Sequence, residues 1–173
     1  MSGKADGGRV FDVLARAFAQ ENVTTCFALM GDANMNWATR LGESGCRMIY
    51  VRHEHCAAAA AMAYARKSGE VGVATVTCGP GVTQLMTALP AAVRAGLPLV
   101  IFAGEPPLKA GWYNQAIDHA PLVTATGAAY HALHHVARMP TAVRDAFLQA
   151  RQERRPVVIG VPFDLQDLPW DGP

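Results

Sequence analysis

Apolar residues return at helical spacing through Val10, Phe11, Leu14 and Phe18, which predicts a first helix with one buried face. Thr24 to Leu29 follows as a short strand-like run. Met35 to Glu43 reads as a helix, Arg47 to Val51 as a strand, and Glu54 to Lys67 as a long helix stopped by Ser68-Gly69. The run from Val71 to Thr77 is β-branched and almost wholly apolar, the pattern of a strand with helices over both its faces, so it marks the middle of a sheet. Gly79-Pro80-Gly81 then turns the chain into a helix near Val82 to Arg94, and Leu97 to Ala103 supplies another buried strand. An irregular connection from Gly104 to about Asp118 precedes a weak strand near Thr124 to Tyr130. A helix from about Thr141 to Arg151 and a last strand, Pro156 to Val161, complete the pattern. Strands alternating with helices through short turns specify an α/β fold: a single three-layer domain with an open, mostly parallel sheet and helices on both faces. The expected organisation is a flexible leader over 1–7, one domain over 8–165, and a linker or C-terminal tail over 166–173, where Pro169 breaks regularity.

Composition narrows the function classes. With 173 residues, 51% of them apolar, the chain can build one two-sided core. The net charge of +1 comes from scattered Lys and Arg, which removes the electrostatic footprint of a nucleic-acid or anionic-membrane binder. No run of about 18 apolar residues occurs, and Met1 to Asp6 lacks a basic-then-apolar layout, so the expected location is the cytoplasm. Cys26, Cys46, Cys56 and Cys78 form no CxxC pair and read as reduced, mostly buried thiols.

Candidate chemistry gathers in three loops at the predicted C-terminal ends of strands: Met30 to Asn34, His53-Glu54-His55, and Cys78 to Gln84. In a parallel sheet such loops share one edge, where a ligand can meet all three. Taken singly, each has a plainer role. Gly79-Pro80-Gly81 lacks the third glycine of a dinucleotide fingerprint, because Gln84 holds its place, and serves equally as a tight strand-to-helix turn. Asp32 reads as a helix cap, and no Asn follows at the spacing a magnesium-diphosphate motif needs. His53-Glu54-His55 is not the HExxH zinc motif, since adjacent residues on a strand or helix start point in different directions and cannot share a metal, while His131 and His135 have helical ligand spacing without a carboxylate or thiol partner. Glu54 suits a helix N-terminus, which an acid stabilises by a few tenths to about 1 kcal/mol.

The three loops together, in this order and spacing, resemble the pyrimidine-binding (PYR) module of thiamine diphosphate-dependent enzymes of the acetolactate synthase and 2-oxoacid decarboxylase family. Arg52-His53-Glu54-His55-Cys56-Ala57-Ala58 with Met62-Ala63-Tyr64-Ala65-Arg66 is similar to the family's RHE-x-x-A-A-x-x-A-x-G-Y-A-R pattern, with Ala63 for its glycine. Val73 to Gln84 is similar to the strand leading into S-G-P-G-x-T-N, with Cys78 for Ser and Gln84 for Asn. Asn114 to Asp118 resembles F-Q-E-x-D with Phe and Glu replaced, and the resemblance extends from Val10 to Leu165. It implies that Glu54 is a buried catalytic acid of raised pKa. Its hydrogen bond to N1′ of the cofactor aminopyrimidine would favour the imino tautomer that deprotonates the thiazolium C2. It implies Asp32 as a second catalytic group assisting proton transfer, and Gly31, Gly79, Pro80, Gly81 and Gln84, with Glu54, as cofactor-binding. Gln115, His53 and His55 fall on the substrate side, and the substrate is a small 2-oxoacid. The His-His pair of simple decarboxylases has no counterpart in Leu108 to Trp112, which weighs against a decarboxylase that protonates its intermediate.

The family's Mg²⁺-binding GDG…NN motif does not occur in these residues. The resemblance therefore implies that Mg²⁺ and the diphosphate are held by a separate diphosphate-binding (PP) module, that the site is shared, and that the chain works as a homo-oligomer or with a PP subunit. Alone it is expected to be inactive and to bind the cofactor weakly. Either it is an excised domain, which the Pro-containing end fits slightly better, or a natural small subunit. The alternative reading is a non-catalytic assembly or regulatory module that keeps the PYR fold; an unrelated nucleotide-binding α/β protein would need phosphate affinity at Gly79 to Gly81 by itself.

Overall fold

The computed structural model describes residues 8–172; the leader expected over 1–7 lies outside them. Six strands form one sheet: β1 (Thr25–Ala28), β2 (Arg47–Tyr50), β3 (Gly72–Val76), β4 (Leu99–Glu105), β5 (Ala129–Ala132) and β6 (Pro156–Pro162). Their order is β2-β1-β3-β4-β6-β5 and every pair is parallel, with Cys26 beside both Met48 and Val73. From β1 the chain steps outward to β2 and then back across β1 to β3. The connections after β1 and β3 thus leave in opposite directions and open a crevice between their C-terminal ends, where open α/β sheets bind ligands. Both β3 and β6 are buried along their whole lengths, as their unbroken apolar runs require when helices cover both faces.

One face is covered by α1 (Val10–Gln20), α2 (Met35–Glu43) and α7 (Met139–Glu153). There Trp37 stacks flat on Phe102 at 4.1 Å, and Phe18 sets its edge against Trp37 and Phe147. The opposite face carries α3 (Glu54–Ser68), α5 (Ala88–Arg94) and α6 (His119–Ala125). Buried Ala57, Ala58, Ala61 and Ala65 form the inner stripe of α3, and side chains this small let its backbone lie directly on β3. A β-carbon at Gly72 would overlap the Ala61 carbonyl.

Three expectations are corrected. The helix near Val82 to Arg94 is two pieces, α4 (Pro80–Thr83) and α5. In one continuous helix Pro90 would leave the Met86 carbonyl without its donor, whereas near the start of a new helix the missing N–H costs nothing. The segment near Thr124 to Tyr130 is not one strand. Residues 119–125 are α6, because the Asp118 side chain caps the Ala120 amide (3.2 Å) and Thr124 Oγ1 bonds back to the Ala120 carbonyl (2.7 Å), and only Ala129–Ala132 is β5. The helix expected from Thr141 starts at Met139, with Pro140 in its first turn. Cys26, Cys46 and Cys78 are buried and Cys56 is exposed; all four are free thiols. A short α8 (Phe163–Gln166) ends the fold, and residues 168–170 return to the first described residues. Leu168 accepts from the Val10 amide and Trp170 donates to Gly8, both at 3.0 Å.

Candidate active site

Each of the three loops is held by its own chemistry. After β1, the buried Asn34 side chain accepts from the Gly31 amide (2.7 Å) and donates to the Leu29 carbonyl (3.1 Å) and Thr75 Oγ1 (2.9 Å), which ties the Gly31-Asp32 loop to β3. Asp32 is exposed at the tip of that loop. It does not cap α2: the N-cap position belongs to Asn34, whose side chain is spent on the loop. After β2, His53 is the N-cap of α3, its Nδ1 accepting from the His55 amide at 3.1 Å, and Glu54 is the first helical residue. Glu54 and His55 are half-buried and His53 is exposed. The full burial expected of Glu54 is therefore not reached among the described residues, because α3 begins at the open C-terminal edge of the sheet. After β3, Gly79 stands at φ +58° and ψ −110°, and a β-carbon there would overlap the Gln115 carbonyl. Only glycine satisfies both constraints.

The loops converge on Thr77. A β-carbon at Gly31 would lie 2.8 Å from Thr77 Oγ1; one at Gly81 would lie 3.1 Å from the Thr77 methyl and 3.7 Å from Glu54 Oε1. The two glycines let their loops close onto Thr77, with the Glu54 carboxylate beside Gly81. Thr77 Oγ1 is buried, with the Cys78 thiol as its polar neighbour.

The long connection after β4 closes the other side. Cys78 Sγ donates to Gln115 Oε1 at 3.2 Å, and the Tyr113 hydroxyl reaches the same thiol. Burial pushes the Tyr113 hydroxyl up to about 12, with Cys78 and Asp32 adding to it. The Cys78 thiol is also raised by burial, with Asp32 contributing despite hydrogen bonds that oppose it. Asp32, Cys78, Tyr113 and Gln115 thus share one electrostatic neighbourhood. The connection is anchored at its start by Asp164, which accepts from the Leu108 and Lys109 amides at 3.0 and 3.2 Å. Gln84 and Pro80 are exposed at the rim, and the Gln84 amide closes α4 on the Pro80 carbonyl.

Sequence reasoning missed Tyr113, Thr77, Asn34 and His119. Asn34 had a signal, an amide residue two after Asp32 in a Gly-containing loop, but its partner Thr75 is distant in sequence. His119 accepts from the Gly79 amide at 2.9 Å across forty residues, and no local pattern marks that. His131 and His135 do not share a helix: His131 is on β5 and pairs with Gln149 (2.7 Å), and His135 follows the strand. With His134 and Arg138 they line a cavity of about 400 Å³ beyond β5, the sheet edge opposite β2 and Glu54. Among the described residues no cluster of three or more His, Cys, Asp or Glu could hold a metal ion, and no helix is long and apolar enough to cross a membrane.

Residues 8–127, more than half of the chain, match the family model of the thiamine pyrophosphate enzyme N-terminal TPP binding domain. The chain is 36% identical over 171 residues to acetolactate synthase 2, chloroplastic, of Nicotiana tabacum, covering 94% of this chain and 26% of that protein. It is 33% identical over 160 residues to acetolactate synthase, chloroplastic, of Arabidopsis thaliana (90% and 24%). Against acetolactate synthase 1, chloroplastic, of Zea mays it is 33% identical over 180 residues (99% and 28%). It spans about a quarter of the length of these curated relatives. The match over most of the chain, with its site loops at the switch point of a parallel sheet, makes this chain a member of the thiamine pyrophosphate enzyme family, of the N-terminal TPP-binding domain type.

Proposed function

We propose that this chain is the pyrimidine-binding half of a thiamine diphosphate enzyme, a lyase or transferase that acts on small 2-oxoacids by acetolactate synthase-like carboligation or by decarboxylation. The observation that carries the reading is the approach of the Glu54 carboxylate, on the first residue of α3, to Gly81 of the glycine turn after β3, at the switch point of the sheet. A carboxylate beside a glycine turn at that edge suits a flat heteroaromatic ring bearing a basic nitrogen, so the residues present fit an aminopyrimidine.

When bound, thiamine diphosphate supplies the electron sink for breaking or making a bond beside a carbonyl carbon. Glu54 would hold a proton toward the pyrimidine ring nitrogen N1′. Gly31, Gly79, Pro80 and Gly81 shape the slot, with Gln84 at its rim. Asp32 and Gln115, beside Tyr113 and Cys78, face the substrate; Asp32 assists proton transfer there, and His53 and His55 border the same opening. A glutamine at 54 keeps the size of the side chain and loses the proton it holds. Mg²⁺ and the diphosphate belong to a PP module on another chain or another part of the same protein, which also covers Glu54. The site is then shared within an oligomer, with no role for nucleic acid or membrane, and the reading places the assembly in the cytoplasm.

Calorimetric titration of thiamine diphosphate with Mg²⁺ into this chain, alone and mixed with a diphosphate-binding module of the same family, tests the reading. The expected result is binding only in the mixture, weakened or made unproductive by Glu54→Gln. Binding in neither sample, or a mixture indifferent to Glu54→Gln, sinks it in favour of a non-catalytic assembly module.

A further inference from the structure

His119 is 2% exposed, and it holds the turn at Gly79 that follows β3. Its Nε2 is 2.9 Å from the Gly79 amide nitrogen. A backbone amide only donates, so Nε2 is the acceptor and the neutral ring carries its proton on Nδ1. That nitrogen faces the Tyr130 hydroxyl at 3.5 Å, Tyr130 donates to Glu105 Oε1, and Glu105 Oε2 is 2.6 Å from His134 Nε2. A β-carbon at Gly160 would overlap the Tyr130 hydroxyl and crowd the Glu105 carboxylate, so the strand beneath is shaped to admit them. Donors point one way along the line from Gly79 through His119 and Tyr130 to Glu105. The line fixes the tautomer that leaves Nε2 free to accept.

We propose that His119 is a positioning residue for the cofactor-facing turn: its unprotonated Nε2 holds the Gly79 amide, fixing the turn that shapes the slot, and protonation of the ring releases it. The catalytic consequence rests on the function proposed above. Gly79 is in a backbone conformation that turns seldom hold unaided, and its buried N–H needs an acceptor; protonated imidazole would set a second N–H against it. The surroundings agree. Burial lowers the pKa of His119, and Glu105 and Asp118 only partly oppose this, so the ring stays an acceptor through neutral pH. The titratable groups around it are Glu105 from β4, Tyr130 from β5, Asp118 at the head of its own helix, and the neutral Cys78 thiol beside Gly79. Arg155 lies farther off, on the Gly127 carbonyl beyond the end of α6.

The test combines amide exchange and shift titration of Gly79 by NMR in this chain with cofactor titration of the chain plus diphosphate-binding module, for wild type, His119→Gln and His119→Ala. His119→Gln offers an acceptor that does not titrate, and Tyr130→Phe serves as a second variant if His119→Ala does not fold. In the wild type the Gly79 amide is slow to exchange, and its shift follows the imidazole titration, which lies below the ordinary value of 6.5. His119→Gln keeps the protection and abolishes the titration. His119→Ala speeds exchange by roughly tenfold and weakens cofactor binding by a similar factor, the loss of about one hydrogen bond. Tyr130→Phe, which removes the group fixing the tautomer, shifts the titration of Gly79. An amide still protected in His119→Ala, or indifferent to the imidazole, overturns the inference. So does cofactor binding unchanged in His119→Ala, and the function proposed above then survives. A wild type that binds no cofactor while Gly79 is still released in His119→Ala overturns that function and leaves the positioning of the turn standing.

Discussion

Gly79 is where the demands on a single residue are highest: a positive φ, a carbonyl packed where a β-carbon would sit, and a buried amide on His119. Gly79→Ala is expected to cost roughly 1–3 kcal/mol of stability, read by denaturant unfolding, and to weaken cofactor binding more than exposed substitutions such as Gln84→Ala. Residues of this kind were half legible. The glycines of the Gly79-Pro80-Gly81 turn announce a tight bend whatever binds there, and Glu54 stands out as an acid at a strand-to-helix junction. The partners that give them meaning, Thr77, Gln115 and His119, are ordinary residues in sequence. Their roles come from a side chain packed against two glycines, a carbonyl in the way and an imidazole nitrogen aimed at an amide.

Among the elements, α1 shows how a helix end carries a pH-dependent share of stability. The Asp12 carboxylate accepts from the Arg9 amide at 2.7 Å and pairs with the Arg40 guanidinium of α2, so one side chain caps α1 and ties two helices together. Burial opposes the ionised form, but the Arg9 amide and Arg40 outweigh it and the pKa is lowered from 3.8. The stabilisation is therefore present above that ordinary value and lost as pH falls through the lower folded one. Asp12→Asn is expected to cost about 1 kcal/mol at neutral pH, a difference that shrinks in urea titrations carried out in strong acid. The elements from α1 to β3, with β4 and β6, were readable from sequence, where period or apolar run and turn residues agree. The misread ones were α4, α5, α6 and β5, where proline placement and a single Asp118 cap outweigh the β-branched residues that suggested a strand.

For the whole molecule, the buried neutral His119 couples fold and site to acidity. Its folded pKa is lowered from 6.5, so the unfolded chain binds the proton first; the associated stability is full above about 6.5 and declines as pH falls from there through the folded value. The slope from one such group is at most about 1.4 kcal/mol per pH unit. Unfolding free energies of wild type and His119→Gln are expected to diverge over that window, with the wild type losing more; parallel curves would count against a buried neutral imidazole. Sequence by itself determined the α/β architecture, the central position of β3 and the ligand edge, because hydrophobic period and turn residues act locally and the covered strands must be apolar. It also determined the family, through motifs whose order along the chain is visible without folding. The tertiary structure alone decided how the loops after β1 and β3 meet at Thr77, that the Asn34 side chain reaches Thr75, and that His119 accepts from the Gly79 amide. Those depend on contacts between residues some forty positions apart, which strand order brings together and no local pattern encodes.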